Sequence, residues 1–321
     1  MNSQIAVIGS LNADFVINLE RFPVAGETLI GRDFKVFPGG KGANQAYGVA
    51  RLGGRVSMIG QVGNDAQADW LIANLAAAGV DTAQVRRDPT VASGVALIAI
   101  DAAGQNQIII VPGANGNFGL DQLKASRETI ASAGLVLLQL EIPMPTVEAA
   151  ARLAKESGAV VIFDPAPARP ISDELLAGAD YVTPNETELA ILTGVPPSDF
   201  TLAEALGKAR ELRARGAKKV LVKMGAKGAL LVGDGMEHHW PAMPVTAVDT
   251  TAAGDAFNAA FAFALAEGQT ELEAGRFATA AAACSVTRPG AQPSMPTREE
   301  VQAMLRITSQ TVESHGLGII V

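Results

Sequence analysis

The stretch that decides the fold is LVLLQLEIPMPTVEAAARLAKESGAVVIFD, residues 135–164. It opens with an apolar run at 135–141 and closes with another at 159–164, and both are short enough to be buried β-strands. Between them, residues 145–158 carry Ala, Leu and Val at helical spacing. Two buried strands joined by a helix predict parallel neighbours in one sheet.

The same alternation runs through the rest of the chain. Further strands are predicted at 5–9, 56–60, 181–185 and 219–225, and helices at 42–53 and 66–79. Capping boxes, in which a threonine and a glutamate satisfy each other's backbone N–H, predict later helix starts at Thr201 with Glu204, Thr270 with Glu273, and Thr297 with Glu300. This pattern predicts a Rossmann-like three-layer α/β/α fold with a mostly parallel central sheet.

Two segments interrupt the alternation. Residues 13–38 consist of short strand-like runs and turns, and residues 94–113 contain two apolar runs that predict a β-hairpin. Both are inserted between elements of the main sheet, so we place them together as a small antiparallel β lid. We expect this lid to close over a ligand.

The composition limits the classes of protein. The 321 residues include 25 Lys or Arg and 33 Asp or Glu, and the net charge of −8 argues against a nucleic-acid partner. The single cysteine, Cys284, excludes an intrachain disulfide framework and is expected in the core. We find no basic start of a secretory signal and no apolar run as long as a membrane span. These features predict a cytoplasmic protein without a membrane partner.

Three common kinds of site are disfavoured. Residues 9–14, GSLNAD, lack the second and third glycines of a dinucleotide-binding turn, which argues against a nicotinamide-dependent dehydrogenase. Residues 40–42, GKG, have glycine where a P-loop needs Ser or Thr. His238 and His239 have no Cys or Glu at the spacing of a zinc site.

Polar residues follow the first predicted strand, at the edge where open α/β sheets bind ligands. If the chain stays extended there, Asn12 and Asp14 point to the same side and could bind vicinal hydroxyls, although an Asx turn explains the pair equally well. In PGGKGANQ, residues 38–45, glycines allow close approach of a ligand, Lys41 adds positive charge, and Asn44 lies at a helix start. Taken alone, this segment is more often a flexible turn.

The segment DTTAAGD, residues 249–255, precedes an apolar helix. Small residues at a helix start leave the N–H groups of Ala252, Ala253 and Gly254 free to surround an anion such as a transferred phosphoryl group. Asp255 stands at the edge of this nest, where it could take a proton from an attacking hydroxyl. A carboxylate in such a place is most often only a helix cap or dipole partner, but capping does not explain the Ala-Ala-Gly run.

These segments resemble the PfkB-type carbohydrate kinase family and, within it, the ribokinases. The two signatures of the family are matched by GGKGANQA (39–46) and DTTAAGD (249–255), and the similarity continues through SLNADFV (10–16), PNETE (184–188) and TRPGAQPS (287–294). The resemblance extends over residues 4–306. It implies an enzyme that transfers the γ-phosphoryl group of ATP to the 5-hydroxyl of D-ribose, giving ribose 5-phosphate and ADP.

The resemblance also implies roles for individual residues. Asp255 would be the general base, beside an anion hole formed by the backbone of Ala252, Ala253 and Gly254. The ribose hydroxyls would be held by Asn12, Asp14, Gly40, Lys41, Asn44 and Glu141, together with Asp255.

The ATP site implied by the resemblance comprises Asn185, Lys223, Gly225, Gly228 and Gly254, with Thr279 near the adenine. Asn185 and Glu188 would organise Mg²⁺, largely through water. A loop that binds K⁺ and orders the anion hole would contain Asp249, Thr251, Ser285, Arg288, Gly290 and Ser294. Lys223 and Ala226 stand where the family pattern has residues with hydroxyl side chains, and Thr279 stands where it has a residue with a ring side chain. The backbone contacts to ATP that the resemblance implies therefore carry over better than the side-chain contacts.

Several alternatives stay open at this point. The acceptor could be deoxyribose, fructose or a nucleoside, because hydroxyl-binding residues do not fix ring size, and a non-catalytic sugar-binding regulator is a more distant alternative. The exposed edge of the lid and the resemblance together predict a homodimer through the lid. The catalytic domain is assigned to residues 1–306, and the tail at 307–321 has no assigned role.

Overall fold

A computed structural model describes residues 3–314, with side chains through residue 307. Its strands, numbered in chain order, are β1 (Gln4–Ile8), β2 (Asn12–Asn18), β3 (Asp33–Gly39), β4 (Arg55–Val62), β5 (Asp81–Arg87), β6 (Gly94–Ile100), β7 (Asn106–Val111), β8 (Leu135–Leu138), β9 (Val160–Phe163), β10 (Tyr181–Val182), β11 (Val220–Lys223), β12 (Ala229–Gly233) and β13 (Met236–Trp240). They form a nine-stranded sheet in the order β13-β12-β11-β10-β9-β8-β1-β4-β5 and a four-stranded sheet in the order β3-β2-β6-β7.

The helices cover both faces of the nine-stranded sheet. In chain order they are α1 (Lys41–Arg51), α2 (Ala66–Ala77), α3 (Leu120–Ala125), α4 (Arg127–Ser132), α5 (Met144–Glu156), α6 (Asp173–Gly178), α7 (Glu186–Leu192), α8 (Leu202–Ala214), α9 (Ala253–Ala266), α10 (Glu271–Ser285) and α11 (Arg298–Ser314). One hydrophobic core contains residues of α1, α2, α9 and α10, and a second contains residues of α3 to α8. The predicted three-layer α/β/α fold is confirmed.

The order of the strands creates a crevice at the carboxyl edge of the sheet. The sheet is parallel from β5 to β11, and only β12 and β13 are added antiparallel. Strand β1 pairs with both β4 and β8, so the chain winds outward from β1 in both directions. The segments that follow β1 and β8 therefore separate, and ligands bind at such a point in open α/β sheets.

The smaller sheet is the predicted lid. Strands β2 and β3 pair antiparallel, as do β6 and β7, whereas the middle pair, β2 with β6, is parallel. Strand β2 begins directly after the turn that follows β1. The first residues of the lid are therefore also part of the crevice.

Local details agree with the sequence in most places. The three predicted capping boxes are present, and Cys284 is buried. Strand β8 ends at Leu138, earlier than predicted, which leaves residues 139–141 beyond the carboxyl end of the strand. Helix α11 runs through the predicted boundary at 306, and residues 315–321 of the predicted tail lie outside the described residues. In the described part of the chain, no helix is long and apolar enough to cross a membrane.

Candidate active site

Asn12 and Asp14 line the crevice where the lid joins the body. Both lie in β2, and alternate residues of a strand point to the same side. Asn12 is 3% exposed, and its Oδ1 accepts a hydrogen bond of 2.8 Å from Nδ2 of Asn115. Asn115 also bonds both backbone groups of Leu11, so it fixes the turn after β1.

Two glycines of the first signature bring backbone close to these side chains. A Cβ at Gly39 would lie 2.0 Å from Oδ2 of Asp14, and a Cβ at Gly40 would lie 2.7 Å from the backbone nitrogen of Asn12. Gly40 also has a φ of 88°, which favours glycine. The close approach at these glycines is between parts of the protein itself, and the close approach of a ligand stays a prediction.

Glu141 stabilises the start of α1. Its Oε2 accepts hydrogen bonds from the backbone N–H of Lys41, at 3.0 Å, and from the hydroxyl of Ser10. Burial would lower the pKa of Lys41, but the carboxylates of Asp255, Asp164 and Glu141 raise it, so Lys41 carries its charge.

Asp14 lies in a negative environment. Burial raises its pKa to about 7, with further contributions from the negative charges of Glu141 and Asp255, while Lys41 lowers it. A carboxylate that is half protonated near neutral pH can both donate and accept hydrogen bonds, which suits hydroxyl groups of a ligand.

The start of α9 has an unusual backbone. Ala252 precedes the helix with a φ of 57°, and no other non-glycine residue in the described chain has a positive φ. No side chain caps this helix. The N–H of Ala253 donates to the carbonyl of Thr250 at 3.2 Å, so it is not free in the way the sequence predicts. A strained, uncapped helix start is typical of a functional site.

Asp255 lies in the first turn of α9 and is 5% exposed. Its Oδ2 accepts a hydrogen bond of 2.9 Å from Nδ2 of Asn44, and its Oδ1 accepts one of 3.0 Å from Nε2 of Gln45. Burial raises the pKa of Asp255 to about 6, while Lys41 lowers it and Asp164 raises it. A fixed carboxylate with this pKa can act as a general base near neutral pH.

The far side of the crevice is formed by the ends of β9, β10 and β11. Nζ of Lys223 lies 2.9 Å from Oδ1 of Asp164, and both side chains are almost fully buried. Glu188 and Asn185 form a capping box at the start of α7, where Glu188 accepts hydrogen bonds of 2.7 and 3.0 Å from the backbone N–H and Nδ2 of Asn185. Asn185 also forms a bridge with Lys223, so these four residues lie together.

The backbone of the turn after β11 favours glycine at both predicted positions, and close packing requires it at Gly228. Gly225 has a φ of 52° and Gly228 a φ of 94°. A Cβ at Gly228 would lie only 1.9 Å from the carbonyl oxygen of Trp240. Thr279 is buried in α10, and its hydroxyl donates to the carbonyl of Gly275 at 2.9 Å.

The predicted cation loop is held together by Asp249. Its Oδ1 accepts the N–H of Thr251 and its Oδ2 accepts the N–H of Gly290, each at 2.8 Å. Burial alone would raise the pKa of Asp249, and these hydrogen bonds lower it.

The other side chains of this loop bond to neighbouring protein groups. The hydroxyls of Ser285 and Ser294 each donate to a backbone carbonyl at 2.8 Å. The guanidinium of Arg288 lies 3.0 Å from Glu300 of α11, so this side chain pairs with a helix outside the loop. Within residues 3–314, no three His, Cys, Asp or Glu side chains are grouped as metal ligands.

Comparison with known proteins identifies the family. The sequence matches the pfkB family carbohydrate kinases over residues 2–298. The chain belongs to this family. It is 41% identical over 305 residues to the ribokinase of Haemophilus influenzae, with 95% of this chain and 99% of that enzyme covered. It is 40% identical over 304 residues to the deoxyribokinase of Salmonella typhi, with 94% and 99% covered.

A solved structure agrees with this assignment. The structure of Arabidopsis thaliana ribokinase complexed with ribose and ATP matches with a TM-score of 0.87 at 39% identity, covering 95% of this chain and 99% of that one. The predicted resemblance is confirmed, and the protein is an ATP-dependent sugar kinase of the pfkB family. Its two signature segments meet in space, because Asn44 and Gln45 of the first bind Asp255 of the second.

Sequence reasoning missed four residues of this pfkB family site: Gln45, Asn115, Gln139 and Asp164. Asp164 ends the predicted strand at 159–164, so its place at the carboxyl edge was a usable signal. Gln45 lay inside the first signature without an assigned role. Asn115 and Gln139 gave no signal, because each acts only on a residue far away in the sequence.

Proposed function

We propose that this kinase transfers the γ-phosphoryl group of ATP to the 5-hydroxyl of D-ribose, with Asp255 as the general base. The observation that carries the proposal is the buried Asp255 carboxylate at the uncapped start of α9, held by two amide donors. The similarity to ribokinases over nearly the full chain supports ribose as the acceptor.

The sugar would bind between the lid and α1. Asn12 and Asp14 would take two neighbouring hydroxyls, and Lys41, Asn44 and Glu141 would contact the rest of the ring together with the backbone of Gly40. Both oxygens of Asp255 already accept one hydrogen bond each, which leaves a lone pair for the 5-hydroxyl. The sugar is thereby oriented with one hydroxyl on the base.

The transfer step follows from this orientation. Asp255 would take the proton of the 5-hydroxyl as its oxygen attacks the γ-phosphorus, and ADP leaves on the opposite side. The N–H groups of Ala252 and Gly254 would stabilise the charge on the phosphoryl oxygens, and the N–H of Ala253 would have to leave the carbonyl of Thr250 to join them. Closure of the lid would exclude water, which would otherwise compete as the acceptor.

The nucleotide would lie beyond the ends of β10 and β11. Gly225, Gly228 and Gly254 would let the backbone approach ATP, with Asn185 and Lys223 near the phosphates and Thr279 near the adenine. The Thr279 hydroxyl already bonds within α10, so its contribution would be shape rather than a hydrogen bond.

Mg²⁺ would be organised by Glu188 and Asn185, largely through water. The oxygens of Glu188 each accept one hydrogen bond, so they keep lone pairs for metal-bound water. Burial raises the pKa of Glu188, whereas Lys223 lowers it. When bound, the ion would neutralise charge on the phosphates of ATP.

K⁺ would bind in the loop of Asp249, Thr251, Ser285, Arg288, Gly290 and Ser294, behind the anion hole. Arg288 would act through its carbonyl, since its side chain pairs with Glu300. Replacing K⁺ by Na⁺ should lower the rate, and equal rates in the two salts would refute this assignment.

The lid would also form a homodimer. Apolar side chains are exposed on it, among them Phe34, Leu97 and Ile109 with exposures of 57%, 43% and 63%. Its edge strand β7 has unpaired backbone groups that a second copy would cover. Ile109→Glu should therefore shift the mass measured by light scattering from dimer to monomer. A wild-type monomer would reject this part of the proposal.

A panel of acceptors tests the reaction itself. ADP release is measured with ribose, deoxyribose, fructose and nucleosides, and ribose should give the highest kcat/KM. Deoxyribose is the second candidate, because a deoxyribokinase is as similar to this chain as the ribokinases are. Binding of ribose without ADP release would instead indicate a sugar-binding regulator.

A further inference from the structure

Gln45 connects two carboxylates beneath the site. It lies in α1 and is fully buried. Its Nε2 donates to Oδ1 of Asp255 and to Oδ2 of Asp164, at 3.0 Å each, and its Oε1 accepts a hydrogen bond of 2.7 Å from Nε2 of Gln139. Both N–H bonds of the amide are thus used on carboxylates of the protein, so the amide has no N–H left to donate to a substrate.

The direction of this amide is fixed by its neighbours. A flipped Gln45 would place its oxygen against two carboxylates, where it could donate nothing. The Gln139 amide also has a fixed orientation. Its Nε2 donates to Gln45, while its Oε1 is buried without a hydrogen-bond partner in the described chain. A buried oxygen without a hydrogen bond costs free energy, and the Gln139 amide accepts this cost in order to donate to Gln45. The hydrogen bond to Gln45 therefore determines the orientation of Gln139. Gly9 provides the space, because a Cβ there would lie 2.0 Å from that oxygen.

Asp164 carries the connection toward the nucleotide side. Its second oxygen binds Nζ of Lys223 at 2.9 Å. The end of the Lys223 side chain lies against the start of α9, since a Cβ at Gly254 would be 3.4 Å from Nζ. A continuous chain of hydrogen bonds therefore runs from Asp255, through Gln45 and Asp164, to a cation beside the anion hole.

We propose that Gln45 is a positioning residue for the phosphoryl transfer, which holds Asp255 in the orientation of the base and ties it to the Asp164–Lys223 ion pair. The proposal rests on Asp255 being the base, as argued above. Gln45 contacts neither the sugar nor the nucleotide. It acts by keeping one oxygen of Asp255 occupied, so that the other remains aimed at the crevice.

The charges around Asp255 determine how a change at Gln45 is observed. Burial raises the pKa of Asp255, Lys41 at the start of α1 lowers it, and Asp164 after β9 raises it. The hydrogen bonds from Asn44 and Gln45 lower this pKa. Asp14 of β2 is also close enough to interact with Asp255. Loss of the Gln45 donor leaves the two nearby carboxylates in place, so the pKa of Asp255 must rise.

The test is the pH dependence of kcat in Gln45→Met with saturating ribose and ATP. The acidic limb should move up by about one pH unit, the size expected for one lost hydrogen bond to a charged group. The plateau of kcat should fall roughly tenfold or more because the base is misaligned, while KM for ribose changes by less than about threefold. Gln139→Met should move the limb in the same direction by less, and it decides the question if Gln45→Met does not fold.

Gln61→Met is the matched control. Gln61 is a buried glutamine of β4 whose Nε2 donates to Asp88 at 3.1 Å, outside the site. It should lose comparable stability without moving the limb. An unmoved limb in both Gln45→Met and Gln139→Met, or an equal shift in Gln61→Met, would overturn the positioning role while leaving ribose phosphorylation intact. Absence of ADP release in the wild-type protein would instead reject the proposed function.

Discussion

Helices α9 and α10 follow one another in the chain, yet their first turns are built differently. Each has an acidic residue three positions after its N-cap: Asp255 after Ala252, and Glu273 after Thr270. Glu273 reaches back to accept the N–H of Thr270 at 2.9 Å, and Thr270 accepts the N–H of Glu273 in return. Asp255 turns instead toward Asn44 and Gln45 of α1.

The pKa values of the two carboxylates shift in opposite directions. Hydrogen bonds from Thr270 lower the pKa of the exposed Glu273. Burial raises the pKa of Asp255 to about 6. A helix start that bonds to itself is structural, whereas one left open, with its carboxylate held by another helix, keeps its groups for a ligand.

The largest expected effect separates the two acids directly. Asp255→Asn should lower kcat by roughly 10²–10⁴ because the base is lost, while the protein still binds ribose. Glu273→Gln should leave kcat unchanged. Steady-state ADP release and ribose binding by calorimetry measure both. A wild-type kcat in Asp255→Asn would remove Asp255 from the role of base.

The same pair shows what could be predicted from sequence. The capping box of α10 spans three residues, so its pattern is visible locally. The donors to Asp255 come from residues more than 200 positions earlier, and no spacing rule connects them. The Ala-Ala-Gly run and the family signature pointed to Asp255, but Gln45 and Asp164 needed the folded chain.

The strands likewise divide into those that the sequence predicts and those that it does not. Buried strands such as β8 and β9 were predicted because both of their faces are apolar. Strand β5, with the sequence DTAQVRR, lies at the edge of the sheet and carries polar and charged residues, so no apolar run indicates it. The antiparallel edge strand β13, MEHHW, was missed for the same reason.

The free energy of unfolding should depend on pH in opposite ways for a carboxylate with a raised pKa and for one with a lowered pKa. Asp14, like Asp255, has a raised pKa, so its charge becomes costly to the folded state as pH rises from about 4 through 7. Asp14→Asn should therefore increase the free energy of unfolding by about 2 kcal/mol at pH 8 and by little at pH 4. Glu273, with a lowered pKa, stabilises above about pH 4.5 and loses this effect on acidification.

Denaturant unfolding at pH 4 and pH 8 measures these changes. Asp14→Asn should also raise KM for ribose, because a sugar contact is lost, which links the stability gain to a functional cost. A stability gain of equal size at both pH values would show that the gain does not come from the charge of Asp14.

A smaller effect is expected from opening the capped helix. Thr270→Ala removes the side-chain acceptor for the N–H of Glu273 and should cost about 1 kcal/mol of unfolding free energy. The kcat should stay within about twofold of the wild type, because the start of α10 holds no substrate. A loss of kcat at unchanged stability would mean that the capped start also serves the reaction.

The smallest effect is expected at Ala252, the N-cap of α9. With a φ of 57°, an alanine here is strained by about 1–2 kcal/mol. Ala252→Gly removes that strain but adds backbone freedom to the unfolded chain, worth about 0.5–1 kcal/mol. The two contributions nearly cancel, so the unfolding free energy should change by less than about 1 kcal/mol. Ala252→Val should lose more than that, because a β-branched residue fits this conformation poorly. An unfolding free energy of Ala252→Val equal to that of Ala252→Gly would mean that the backbone at residue 252 relaxes. The conformation of the open start of α9 would then not be fixed by the fold.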